Sequence, residues 1–255
     1  MSQLDILRES LGQCDEILLD ALLMRNRIVE DIMVYKEAND IPILQPEQEA
    51  RQKEWLSRRM EGKRHRKEVD AVFEEITRNS KKIQARKLFD YNIVLIGFMG
   101  AGKSTISDFL RTVFAMDVVE MDQIIAQRQG MSISDIFETY GEQYFRDLET
   151  NLLIEMQSRS NVVISCGGGA MLNPDSADYA RKNGAVVLLD ESFDTCYGRI
   201  QGDTNRPIVQ RSTRDELHQL FDKRSGTYRA HASHVIPGGV SPEEMAERIM
   251  AAVKA

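Results

Sequence analysis

The stretch Asn92 to Thr105, NIVLIGFMGAGKST, limits the folds open to this chain more than any other. Ile93 to Ile96 run without a polar interruption, as a strand does when both of its faces are covered, and the run breaks at Gly97 into a glycine-rich turn closing on Gly102-Lys103-Ser104. A strand covered on both faces belongs in a parallel sheet between layers of helices. Four later runs repeat the pattern, DVVEMD, NVVISCGGG, AVVLLD and SHVIPGG, with helical stretches between them. Residues 91–255 are therefore predicted to form an α/β domain, a parallel sheet with helices on both faces.

The turn carries a chemical meaning. Gly97, Gly102, Lys103 and Ser104 match G-x-x-x-x-G-K-[ST], with a strand before and a helix after. Glycines let backbone N–H groups close around phosphate oxygens, and the following helix offers the positive end of its dipole. Gly97, Gly100, Ala101, Gly102, Lys103, Ser104 and Thr105 are the expected cradle for ATP, with Lys103 reaching the β/γ-phosphates and Ser104 able to ligate Mg²⁺. A tight turn that merely contains Gly-Lys-Ser is the bland alternative, and the flanking strand and helix favour the phosphate site.

Further pieces bear on what receives the phosphate. VVEMD puts Glu120 and Asp122 near the carboxyl edge of the sheet, where open α/β sheets bind ligands, and such acids hold Mg²⁺ through water or accept a hydroxyl proton. DIFETYGEQYFRDLE places Arg146 on an amphipathic helix, and Gly167, Gly168 and Gly169 let a ligand approach the backbone after VVISC. RIQGDTNRPIV supplies Arg199 and Arg206 in a polar stretch suited to a lid, and FDKRSGTYR supplies Arg224. Each piece alone also fits a solvated side chain or a simple turn.

In order and spacing, these pieces make residues 91–255 resemble the shikimate kinases. The resemblance implies that Asp122 contacts the shikimate hydroxyls and acts as base, that Arg146 and Arg224 bind the carboxylate, and that Gly168 and Gly169 line the same pocket. It also implies that Arg199 lies near the adenine, that Arg206 is the lid arginine reaching the phosphates, and that Glu120, usually aspartate in the family, serves Mg²⁺.

Residues 1–90 have a different period. Leu4, Leu7, Leu11, Cys14, Leu18, Leu22, Val29 and Ile32 recur at helical spacing, and no glycine or proline follows Gly12 in that run. Such a helix is about 50 Å long, longer than a compact domain of this size, so its stripe is expected to pack against a second chain. Pro46 suits a first helical turn, a second helix ends near Gly62, and a third carries Val69, Val72, Phe73, Ile76 and Ile83 on one side. At about 100° per residue Arg25 and Lys36 fall on the same apolar stripe as Leu18, and buried cations need anionic partners. Internal pairing, with Glu49 the obvious partner, is one answer, and an anionic ligand is the other.

This half resembles the all-α chorismate mutases, which are dimers built on one long shared helix. The resemblance rests on the run from Leu7 through Glu49 and on Ser80 and Gln84, four residues apart. It implies that Arg25, Lys36 and Gln84 hold the carboxylates and ether oxygen of chorismate, that Arg8 reaches in from the other protomer, and that Glu49 binds the ring hydroxyl, Ser80 lying on the same side. The family's usual arginine before that glutamate is Gln48 here.

Lysine and arginine number 17 against 18 acidic residues over 1–90 and 16 against 22 beyond, so neither half looks suited to nucleic acid. Three widely spaced cysteines argue against a disulfide framework or zinc site, and no apolar run approaches the roughly 20 residues of a membrane span, so a cytoplasmic protein is expected. The expected product is a bifunctional homodimer acting on shikimate, ATP and chorismate. Three alternatives stay open: a helical half serving only dimerisation or effector binding, a kinase for another hydroxylated acid such as gluconate, and a nucleotide switch without phosphotransfer.

Overall fold

The computed structural model describes residues 2–39, 41, 45–88, 91–203 and 207–254. The chain divides into two compact units, Met1–Leu88 and Phe89–Ala255.

The first unit is helical among its described residues. α1, Gln3–Ala38, starts from a capping box in which Ser2 and Asp5 exchange hydrogen bonds, and its 36 residues span about 54 Å. α2, Pro46–Arg59, has proline in its first turn, and α3, Arg66–Leu88, packs along α1. Of α1, only Val29, Met33 and Lys36 are buried. Leu4, Leu7, Leu11 and Leu18 of the predicted stripe are each more than half exposed, because the shorter α2 and α3 cannot cover the amino-terminal half of so long a helix. Val72, expected on the apolar side of α3, is also exposed.

The second unit alternates strands and helices. In chain order these are β1 Asn92–Ile96, α4 Lys103–Val113, β2 Asp117–Glu120, α5 Met121–Gln129, α6 Ile133–Met156, β3 Val162–Ser165, α7 Pro174–Asn183 and β4 Gly184–Asp190. Then follow α8 Phe193–Ile200, α9 Pro207–Arg211, α10 Arg214–His231, β5 His234–Pro237 and α11 Pro242–Lys254. The five strands form one parallel sheet in the order β2-β3-β1-β4-β5, with Val94 of β1 level with Ile164 of β3 and Val186 of β4. β1 and β3 are buried at every residue, as the unbroken apolar runs require. α4 and α11 pack together against the sheet, while α7 packs on β1 and β4 beside α6. All strand ends meet at one carboxyl edge. No helix among the described residues is long and apolar enough to cross a membrane.

Two local details differ from expectation. β2 ends at Glu120, so Asp122 stands in the first turn of α5 rather than on the strand. α6 carries a break at Gly141 (φ +84°, ψ +170°), four residues before Phe145, so the segment bearing Arg146 is a helix of its own beyond the break.

Candidate active site

The glycine turn is folded against α8 and the end of β4. Gly100 has φ +81°, and a Cβ there would lie 2.5 Å from the carbonyl oxygen of Cys196, so only glycine fits. α4 begins at Lys103 with Gly102 as its cap and no side chain bonded to its first N–H groups, which leaves them directed at the turn. Lys103 Nζ donates to the carbonyls of Gly97 and Phe98 at 2.9 and 3.0 Å. Arg199 is not part of a lid stretch. It belongs to α8, and its Nη1 donates to the Gly100 carbonyl at 2.9 Å, because one helical turn separates it from the Cys196 contact. Arg206 lies outside the described residues.

Beside the turn stand the acids. Ser104 Oγ donates to Glu120 Oε2 at 3.2 Å, and Ser107 donates to the other carboxylate oxygen. At Gly167 a Cβ would sit 2.7 Å from Asp122 Oδ1 and 2.5 Å from Glu149 Oε1, so the absent side chain is what lets both carboxylates close on this backbone. Gly169 is glycine because a side chain would fall on the Arg146 guanidinium.

Arg146 is held from two sides, by Glu149 Oε2 at 2.5 Å and Glu142 Oε1 at 2.7 Å, and it lies over the rings of Phe137 and Phe145. Arg224 is 5% exposed; its Nη1 donates to the Gly168 carbonyl at 3.3 Å, and the same oxygen accepts from the Tyr228 hydroxyl. Arg224 Nε is buried with no hydrogen-bond partner among the described residues. Burial pushes the Glu149 carboxyl up to about 7 despite Arg146, and Asp122 and Glu142 push in the same direction. Burial works against the Arg146 charge, but Glu149 and Glu142 outweigh it and raise its pKa.

These groups enclose a cavity of about 400 Å³. Its lining comprises Met99 from the glycine turn, Asp122, Ile133, Phe137, Phe145, Arg146, Glu149, Gly167, Gly168, Gly169, Asp203, Ile208 and Arg224. The five residues expected to hold an acceptor, Asp122, Arg146, Gly168, Gly169 and Arg224, thus share one space bordering the phosphate turn. A carboxylate, two guanidiniums and an aromatic wall suit a small hydroxylated ring that carries an acid group.

The family model for shikimate kinase matches residues 99–254. The chain belongs to the shikimate kinase family. The shikimate kinase of Sulfurihydrogenibium sp. (strain YO3AOP1) is 36% identical over 163 residues, 64% of this chain and 98% of that protein. That of Streptococcus gordonii is 40% identical over 159 residues, 61% of this chain and 96% of its own length. Among solved structures, shikimate kinase from Acinetobacter baumannii in complex with shikimate superposes with a TM-score of 0.60 at 32% identity, covering 63% of this chain and 90% of that one. The chain also carries a second domain, since the family model for chorismate mutase type II matches residues 7–85.

In that helical domain Arg25 Nη1 donates to Ser80 Oγ, and the Ser80 hydroxyl in turn donates a hydrogen bond to the Ile76 carbonyl at 2.8 Å. Lys36 is buried; burial lowers its pKa and Glu49 partly restores it. Glu49 Oε2 pairs with Lys81 Nζ at 2.9 Å. Gln84 is half-buried one turn beyond Ser80. Arg25 with Ser80, and Lys36 with Glu49, thus interact within one chain. Arg8 is not among them: it is exposed on α1, 17 positions before Arg25 and so about 25 Å away along the helix.

Sequence reasoning gave no role to Glu149, Phe137, Phe145, Tyr228 or Lys81. Glu149 lies three residues after Arg146 and Tyr228 four after Arg224, so helical spacing alone would have paired them. The burial that raises Glu149 toward neutrality comes from packing and leaves no local trace.

Proposed function

We propose that this chain is a bifunctional enzyme of aromatic biosynthesis. Residues 91–255 transfer the γ-phosphoryl group of ATP to the 3-hydroxyl of shikimate, and residues 1–90 rearrange chorismate to prephenate. The observation that carries the kinase half is the cavity bordering the phosphate turn, with Asp122 beside Gly167 and with Arg146 and Arg224 in the same lining.

Arg146 and Arg224 bind the substrate carboxylate. Their forks are already oriented, Arg146 by Glu142 and Glu149 and Arg224 by the Gly168 carbonyl, so little ordering remains to be done on binding. Asp122 accepts the hydroxyl proton as the new O–P bond forms and the bond to the ADP oxygen breaks. Lys103 offsets charge on the transferring group, Arg206 adds to it, and Arg199 stands on the nucleotide side. Ser104 and Glu120 form an all-oxygen donor pair of the kind Mg²⁺ takes, and they would hold it directly or through water. Mg²⁺ when bound supplies neutralisation of the phosphate charge.

In the helical half the reaction needs no nucleophile. Arg25, Lys36 and Gln84 hold a compact conformer and stabilise charge as the C–O bond breaks, while Glu49 binds the ring hydroxyl. The exposed apolar face of α1 and the distance from Arg8 to Arg25 support a homodimer, in which α1 of a second copy covers the stripe and brings its own Arg8. An enzyme that draws on ATP for biosynthesis belongs in the cytoplasm, and that location goes with this reading.

ADP release measured with shikimate as acceptor tests the kinase half. Arg146→Ala is expected to raise the shikimate KM roughly 10- to 100-fold, the worth of a charge-assisted fork of about 1.5–3 kcal/mol, with the ATP KM within about twofold. An unchanged shikimate KM overturns the acceptor assignment. Loss of chorismate absorbance tests the helical half, and no rearrangement above background with the kinase active leaves it a dimerisation or effector module.

A further inference from the structure

The carboxyl edge of the sheet has two sides. The order β2-β3-β1-β4-β5 places the acceptor residues on one side of β1, since Asp122 follows β2 and Gly167 to Gly169 follow β3. A nucleotide whose phosphates rest on the turn after β1 therefore extends its nucleoside over the ends of β4 and β5. A carboxylate that the reaction above does not use is buried there. Glu191, the residue after β4, is 9% exposed. Its Oε1 accepts from the backbone N–H of Ser192 at 3.0 Å, and its Oε2 accepts from the N–H of Gly239, after β5, at 3.2 Å. The same Oε2 lies 3.5 Å from Arg199 Nη2. Arg199 in turn holds the Gly100 carbonyl of the phosphate turn through Nη1 at 2.9 Å. Gly238 is shaped to the same group, because a Cβ there would lie 2.6 Å from the carboxylate carbon. One buried charge thus ties together the end of β4, the turn after β5 and the arginine that clasps the phosphate turn.

We propose that Glu191 is a positioning residue of the nucleotide site. It fixes Arg199 and the Gly238-Gly239 turn as two walls of the slot that receives the nucleoside, and so sets affinity for ATP without touching the acceptor. A buried carboxylate can hold this geometry because it satisfies donors from three elements at once, whereas an apolar residue would leave Arg199 and the Gly239 N–H without it. The inference rests on the ATP phosphate turn of the proposed function and deepens it.

The test uses the full chain with Glu191→Gln, Arg199→Ala and the double variant. Calorimetry with a non-hydrolysable ATP analogue and no acceptor gives nucleotide affinity, and steady-state assays give the two KM values. Glu191→Gln is expected to weaken analogue binding about tenfold and to raise the ATP KM by a similar factor, leaving the shikimate KM within about twofold. The double variant is expected to bind no more weakly than Arg199→Ala alone, the non-additivity of two groups acting through one contact. Unchanged analogue affinity, an equal rise in both KM values, or fully additive losses would overturn the proposal. Gly238→Ala keeps every charge but crowds the carboxylate. It is expected to reproduce the loss of ATP affinity, and wild-type binding by that variant overturns the proposal even if Glu191→Gln does not fold. Wild-type protein that binds the analogue yet leaves shikimate unphosphorylated would sink the acceptor reading while the Glu191 result stands.

Discussion

The kinase unit and the helical unit place their candidate site cations by opposite means. In the kinase unit Asp122, Arg146, Gly168 and Arg224 come from a span of more than a hundred residues, yet they line one cavity, because a parallel sheet returns every strand to the same edge. In the helical unit Arg8, Arg25 and Lys36 all lie on α1, close in sequence, and a straight helix keeps Arg8 about 25 Å from Arg25. Strand-and-crossover topology gathers remote residues within one chain. A single long helix disperses near ones, and under the proposed reading Arg8 would have to come from another copy. The difference is visible in burial too: the sheet residues are covered on both faces, while the amino-terminal half of α1 leaves its leucines open.

The contrast breaks most severely at the phosphate turn. Lys103→Ala is expected to lower kcat for ADP release about 10³-fold, the scale of removing a preorganised charge partner from a transferring group, while chorismate loss proceeds at the wild-type rate. A parallel fall in both reactions would show that the units do not act independently. Arg8→Ala and Arg25→Ala are each expected to cost about 10²-fold in chorismate rearrangement. When the two variants are mixed and re-associated, activity should return toward about a quarter of wild type, because half the dimers are mixed and each has one intact site. No recovery on mixing places the whole site in one chain.

The smallest effect concerns pH. Glu149 titrates near 7 in the folded chain but near 4.5 when exposed, so the folded state holds an extra proton between those values. Stability conferred by that protonated carboxyl therefore falls as pH rises from about 4.5 to about 7 and levels off above. Ionised Glu149 also competes with a substrate carboxylate for Arg146. The shikimate KM is expected to rise roughly threefold between pH 6 and 8, and Glu149→Gln should flatten both this rise and the melting-temperature slope. A wild-type pH profile in that variant would remove Glu149 from the acceptor site.

Much of the architecture was legible because it is written in short-range periodicity. The five apolar runs became the five strands, the phosphate turn sits between β1 and α4, and three helices precede them. Arg146 and Arg224 could be placed on helices, and the glycines after β3 could be marked as a point of close approach. Arg199 was grouped with the following lid stretch, although Ser192 as a cap and Phe193, Cys196, Tyr197 and Ile200 at helical spacing carry the signal of α8 in the sequence. The strand reading of VVEMD ran on through Asp122, because a strand of four residues running straight into a helix leaves no boundary signal.

The sequence by itself determined the sheet, the helical repeat of the first unit and the chemical types available at each end of the molecule, since these follow from the spacing of apolar, glycine and charged residues along a few turns of chain. Only the tertiary structure decided which carboxylates are buried, that Glu149 and Asp122 crowd Gly167, and that Glu191 clamps Arg199 to the turn after β5. Desolvation and contact depend on what packs from elsewhere in the chain, and no local pattern records it.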